Sequence, residues 1–396
     1  MMQPPSQNAL AWVCMAAILL AASQPASPMD WREPWRLPAS RRSAAVSSDE
    51  YAWRLFIALN WPANVVQRAA DPRMRLGAAG PVVWEIWQNA NDVYRPDGTD
   101  PGPWAPGAPP GPVSETRFET LSAKELENTR HIVGGRMVPL ADPLAQAARL
   151  IEVRMNRISF DYIRSRALYN VEGQLQAVAQ GRAVNFPYGA VQVKASWRPI
   201  EGSERSRYHS ITVRFANGSS RLYGLTALNI AAKALPNWLW ASFEHVDNAT
   251  RANGDGWQLP SRDVFACRST SDCNRAPSGV GLEGTVWENY RLRGTLTSFV
   301  DAERRPRLLA NSELEAGLQM SASCITCHSR AAIGVVDGHP TRLPVFAPAA
   351  ADGQVQRRGY VGLPQSETGF KSLDFVWSLA QAKSRAPDVN IVGDSP

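Results

Sequence analysis

Several kinds of chemistry are poorly represented in this chain of 396 residues. Acidic residues are scattered, and no Ser/His/Asp or paired-carboxylate arrangement stands out, so hydrolysis is not indicated. The net charge of +6 is modest and carried almost wholly by arginine. No basic run or dense basic–aromatic alternation occurs, so nucleic acid is not an expected partner. Long apolar stretches are scarce too. The one run, Ala9 to Ala22, has about 14 residues, short of the ~20 that span a bilayer comfortably. Histidine and cysteine number five each, and after His328 there is no methionine at all.

What is present indicates a globular, exported protein. Apolar residues make up 44 % and charged residues 20 %, enough for a large core, and the length exceeds one ordinary domain. Fourteen Trp is unusually many, and thirty Pro and twenty-eight Gly suggest long ordered loops. The apolar run is followed by Ala21, Ala22 and Ser23 and then Gln24-Pro25. It reads as a signal-peptide core with cleavage near Ala22–Ser27, giving a periplasmic or otherwise exported product without a stable membrane span. Met1 to Asn8 lacks the usual Lys or Arg, so an uncleaved anchor is the alternative.

The most informative stretch is Cys324-Ile325-Thr326-Cys327-His328. Two cysteines three apart share one face of a helical turn, where each thiol can add to one vinyl group of a single porphyrin. The adjoining histidine is then placed under the iron as an axial ligand. The expected cofactor is one covalent haem c held by Cys324 and Cys327, with His328 as the metal ligand. A thioredoxin-like redox pair has no need of His328. A zinc site needs a second Cys/His cluster, and the other pair, Cys267 and Cys273, has no histidine beside it. In an exported protein that second pair reads as a local disulfide.

Along the chain, residues 1–27 are expected to be the signal peptide and 28–48 a linker. Asp49 to Pro62 reads as a helix, opened by acidic residues and closed by proline. VVWEIW at 82–87 is a short strand or helix, and 95–113 is a Pro/Gly loop or lid. Asp142-Pro143 opens an expected helix, with Leu144, Ala148, Ile151, Met155, Ile158 and Tyr162 forming an apolar stripe. Val191 to Trp197 alternates as a half-buried strand, and Ala216-Asn217-Gly218-Ser219 joins two strands in a hairpin. Residues 49–300 therefore read as a mixed α+β domain with a small antiparallel sheet. From Asn311 a helix is expected to lead into the motif, followed by a loop over 331–370 and a closing helix over Ser372–Ala380. The fold class is α+β: a large mixed α/β N-terminal domain, plus a mainly helical, cytochrome c-like haem region over 301–396.

WENYRLRGT at 287–295 and SASCITCHSRA at 321–331 resemble a family of exported bacterial monohaem cytochrome c-like proteins. ALNWP (58–62), KASW (194–197) and LPNWLWASFEHVDN (235–248) resemble the same family. The resemblance implies haem c, an exported location and electron transfer with an unspecified redox partner. It names no substrate. Small cytochromes c take a downstream methionine as second axial ligand, and this chain has none, so the sixth position falls to His245, to His339 or to neither. Electron transfer is the expected role. The alternatives are a peroxidase-like oxidoreductase and a haem-based sensor with the large domain as its binding module.

Overall fold

The structure, a computed structural model, describes residues 31–105, 112–118, 130–133, 136–139, 149–249, 260–269, 272–315, 322–343, 369–386 and 391. The expected signal peptide lies outside them, as do 106–111 of the Pro/Gly loop, 142–148, 316–321 and most of the loop after the motif.

Helix α1 (Arg41–Val46) is capped by the Ser40 hydroxyl and runs into α2 (Ser48–Leu59), which carries Asp49 and Glu50 in its first turn. Two short strands, β1 (Ala63–Asn64) and β2 (Ala69–Ala70), form a separate ribbon. VVWEIW resolves into a 3-10 turn over Val83–Ile86, followed by β3 (Gln88–Asn89) and α3 (Ala90–Val93). Next come β4 (Val113–Ser114) and a ribbon of β5 (Arg130–Val133) with β6 (Arg136–Pro139). Then follow β7 (Leu150–Met155), α4 (Arg157–Ser165) and α5 (Val171–Ala179). The long strands are β8 (Val191–Pro199), β9 (Ser210–Arg214), β10 (Ser220–Ala232), β11 (Leu239–His245) and β12 (Tyr290–Leu296). The motif forms α6 (Cys324–His328), ahead of β13 (Ala332–Val336), β14 (His339–Arg342) and β15 (Lys371–Ser372).

One eight-stranded sheet organises the chain, in the order β12-β11-β10-β8-β7-β3, with β9 on the far part of β10 and β4 beside β9. Every pairing in it is antiparallel except β4 with β9. Its strands alternate between two faces, shifted locally at two bulges. Val191, Val193, Ala195 and Trp197 of β8, Leu239, Ala241 and Phe243 of β11, and Tyr290 and Leu292 of β12 face a first core that α2 covers. Phe56 stacks on Phe243 at 4.4 Å and meets Trp53, Trp287 and Tyr290 edge-on or tilted. On the opposite face, Trp240 and Leu296 join Met155, Phe160, Ile163, Ile325, Ile333, Leu373 and Leu379 in a second core. Residues from both sides of position 300 build that second core. Among the described residues, no helix is long and apolar enough to cross a membrane.

This architecture corrects the α+β expectation. The molecule is mainly β, its sheet is large rather than small, and the region after 300 is not a helical cytochrome c-like unit. Apart from the five-residue α6, the described part of that region is a three-stranded sheet, β14-β13-β15, and a 3-10 turn at Trp377–Gln381. Ala332–Val336 pairs with His339–Arg342 around Asp337-Gly338, whose φ values of 49° and 79° form a two-residue hairpin turn. The expected closing helix is broken by Asp374 and Phe375, both at positive φ. Within the expected helix around 142–162, Leu150–Met155 is a strand, because Ile151, Val153 and Met155 also alternate and β8 offers its edge. Helix begins only after Asn156, whose side chain caps α4 through Ser159 N–H. The lead-in helix is likewise absent over Asn311–Glu315, which forms turns. The helix at 49–62, the strand at 191–197 and the hairpin through Asn217-Gly218 form as expected.

Phe56 has no exposed surface. Phe56→Ala is expected to destabilise the protein by about 3–5 kcal/mol, with Phe56→Leu costing distinctly less, as read from urea midpoints at constant m.

Candidate functional site

The second face of the sheet is polar where it leaves the core. Asn229 of β10 and Ser242 and Glu244 of β11 lie along it, and the segment after β12 crosses them. Asn311 donates from Nδ2 to Ser242 Oγ at 3.0 Å and to the Phe243 carbonyl at 2.9 Å. Ser312 N–H donates to Glu244 Oε2 at 3.1 Å, while Arg291 holds the other Glu244 oxygen. Glu315 accepts from Asn229 Nδ2 at 3.0 Å and from Asn311 N–H at 2.7 Å. Glu313 pairs with Arg149 at 3.0 Å. The chain then returns to its own start. Leu309 N–H donates to the Ala322 carbonyl, and Cys324 N–H to the Leu309 carbonyl, both at 3.2 Å.

These bonds set the position of α6. Ile325 is fully buried in the second core, and Cys324, Cys327 and His328 are partly buried around it. Neither Cys324 nor Cys327 is in a disulfide, whereas Cys267 and Cys273 are joined in one. Burial, followed by the nearby charge of Glu315, pushes the Cys324 thiol well up; burial also pushes Cys327 up. Thioredoxin-like pairs need a lowered thiol pKa, so this environment argues against that reading. No group of three or more His, Cys, Asp or Glu side chains able to hold a metal ion occurs among the described residues, so no zinc cage is assembled there.

His328 has the arrangement of an axial ligand. Its Nδ1 lies 2.9 Å from the Phe375 carbonyl, an oxygen that can only accept. Nδ1 therefore carries the proton, and the lone pair is on Nε2. Burial lowers its pKa to about 4, with the Phe375 bond opposing that shift, so the ring is neutral near pH 7. A neutral imidazole whose second nitrogen is tied to a carbonyl is what metal ligation by histidine requires. The Trp240 ring lies against it, with centroids 4.4 Å apart. The donor set therefore fits a c-type haem: two reduced thiols on one helical turn and one oriented imidazole.

The other expected ligands are elsewhere. His245 stacks on Tyr208 at 3.7 Å on the first-core face of β11, opposite Trp240 and on the order of 16 Å along the strand. Asp247 N–H donates to its Nδ1 at 3.2 Å, so its Nε2 donates to the Arg207 carbonyl at 3.0 Å. Both nitrogens are engaged. His339 is exposed at the hairpin tip. His209 packs on Trp287 in the first-core region, 3.2 Å from Glu85. Met155 is buried as expected, on β7 rather than on a helix, and Met74 is exposed. Met320 lies outside the described residues, and the Met137 side chain is not described.

Sequence reasoning missed the Phe375 carbonyl, which carries no side-chain signal. The strand's alternation sends Trp240 and the candidate ligand His245 to opposite faces. No family model, no curated protein and no solved structure matches the chain. KASW, LPNWLWASFEHVDN and WENYRLRGT contribute to β8, β11 and β12, all in the sheet that carries the site.

Burial lowers the His245 pKa to about 4. The unfolded chain, with an ordinary value near 6.5, takes up its proton first, so this group contributes nothing above pH ~6.5 and destabilises the fold as pH falls toward 4. His245→Gln is expected to flatten the loss of stability between pH 6.5 and about 4, measured by urea unfolding across that range; an unchanged slope would contradict the assignment.

Proposed function

We propose that this chain is an exported c-type haem protein that transfers single electrons through one covalently attached haem. Cys324 and Cys327 would form the two thioether bonds, and His328 Nε2 would bind the iron. The observation that carries the reading is the His328 Nδ1–Phe375 carbonyl bond of 2.9 Å, which fixes the tautomer and orients the ring. Bound haem supplies an iron that cycles between ferric and ferrous states. The protein's residues do the remaining work. Phe375 holds the Nδ1 proton. Trp240 packs against the imidazole ring, and buried Ile325 anchors the turn that carries it. Buried, protonated thiols resist oxidation to each other before attachment. The Cys267–Cys273 disulfide supports an oxidising, exported compartment. A redox protein is the expected partner.

Expression in a host with haem c maturation, followed by acid–acetone extraction and denaturing electrophoresis, tests this. Haem colour should remain with the polypeptide. Cys324→Ala or Cys327→Ala should retain at most one thioether, and His328→Ala should lose most of the holoprotein. Haem that extracts freely from the wild type would overturn the proposal.

The sixth ligand is expected not to be methionine, because Met155 is fully enclosed in the second core and Met74 is exposed. The ferric spectrum should lack the near-infrared sulfur-to-iron band. Its presence in the wild type, and loss in Met320→Ala, would show the opposite.

A further inference from the structure

The carbonyl that anchors His328 sits in an unusual piece of backbone. Asp374 and Phe375 are consecutive, carry side chains, and adopt φ of 54° and 68°. Two such residues in a row persist only where the surroundings over-determine them. Here they do. Lys233, immediately after β10 and almost fully buried, donates from Nζ to Asp374 Oδ1 at 2.7 Å and Oδ2 at 2.8 Å, and to the Pro236 carbonyl at 3.0 Å. Phe186 N–H donates to Asp374 Oδ2 at 2.7 Å, and Asp374 N–H donates to Ser372 Oγ at 3.1 Å. Leu373 N–H is held by the Ala331 carbonyl at 2.8 Å, three residues beyond His328. The Phe375 ring lies 6.3 Å from Trp240 and 6.2 Å from Phe299. The carboxylate of Asp374 therefore ties this turn to the end of the central sheet, and the next residue presents its carbonyl to the histidine.

We infer that the Lys233–Asp374 pair is a positioning device for the iron ligand: it holds the Phe375 carbonyl on His328 Nδ1 and so sets how strongly His328 donates to the iron. The inference rests on the haem reading above. A firm Nδ1–H···O bond gives the imidazole partial imidazolate character, which favours ferric iron. Loosening the carbonyl weakens that donation and favours ferrous iron, so the midpoint potential rises.

The test compares wild-type holoprotein with the double variant Lys233→Met/Asp374→Asn. It removes both charges together, leaving neither unpaired, and asparagine tolerates the left-handed backbone. The expected result is about a tenfold rise in the ferrous-to-ferric ratio at fixed applied potential, ~59 mV for a one-electron couple. The His328 Nδ1 proton should also exchange faster by NMR. A folded, haem-loaded double variant with wild-type potential and unchanged Nδ1–H exchange would overturn the inference. If the double variant does not retain haem, nitrogen-15 NMR of the His328 ring in the apoprotein decides. Loss of the fixed Nδ1–H tautomer in the double variant's apoprotein, with the wild-type apoprotein as reference, supports the inference, and its retention overturns it. Failure of the wild type to attach haem would instead sink the functional proposal, with the tautomer measurement still judging the Lys233–Asp374 pair separately.

Discussion

The two-faced alternation of the central sheet is the constraint on which the rest depends. One face is a continuous apolar and aromatic surface from β8 to β12, and α2 has nowhere else to place Trp53 and Phe56. Because side chains alternate with period two, a one-residue slip of β11 would drive Ser242 and Glu244 into that aromatic layer. The register is therefore tightly specified by the first core, and the second face inherits it. The irregularities at Leu225/Ala227 and Ser242/Phe243 adjust the alternation locally. Beyond the second bulge, Glu244 opposes Arg291, and this carboxylate receives Ser312.

Charges buried this deeply tie distant segments together. Glu152 has no exposed surface and accepts from Arg117, Arg154 and Trp197 Nε1 at 2.6–2.9 Å. Glu244 is equally enclosed and is shared between Arg291 and the backbone of Ser312. Removing one partner from such a pair leaves a desolvated charge, at a cost of about 3–5 kcal/mol. The arrangement is therefore all-or-none: the approach to the motif helix docks only where both Glu244 oxygens find their donors. A surface loop with ordinary exposed contacts would have no such discrimination.

Legibility in the sequence followed the range of the interactions. Helix α2, strand β8 and the β9–β10 hairpin rest on local signals: acidic residues before a proline stop, strict alternation, and Asn217-Gly218 at φ > 0 for the glycine. The disulfide was readable because its cysteines are close together in a polar loop with no histidine beside them. The strand at Leu150–Met155 was misread because its apolar residues satisfy both periods, and only the edge of β8 decides between them. The turn at Asp374-Phe375 was invisible, since nothing in SLDFVW announces left-handed backbone. Its cause is Lys233, 141 residues away. The motif itself stands out in the sequence by its spacing, but its surroundings did not. A helical cytochrome setting was expected around Cys324, Cys327 and His328, and a β-sheet stands there instead.

That substitution of setting matters for how the site is formed. Five residues make barely more than one turn, and an isolated helix of that length does not persist in water. Ser323 supplies no side-chain cap. Helix α6 persists because three remote partners hold it: the Leu309 carbonyl at Cys324 N–H, the second core around Ile325, and the Phe375 carbonyl at His328. Each acts on a different residue of the motif. Together they fix the translation of the turn, its rotation about its own axis, and the tilt of the imidazole. The entropy of ordering these residues is met by folding of the sheet, so on the proposed reading it would not have to be met again on haem attachment. In this chain the geometry of Cys324, Cys327 and His328 is consequently a property of the β scaffold.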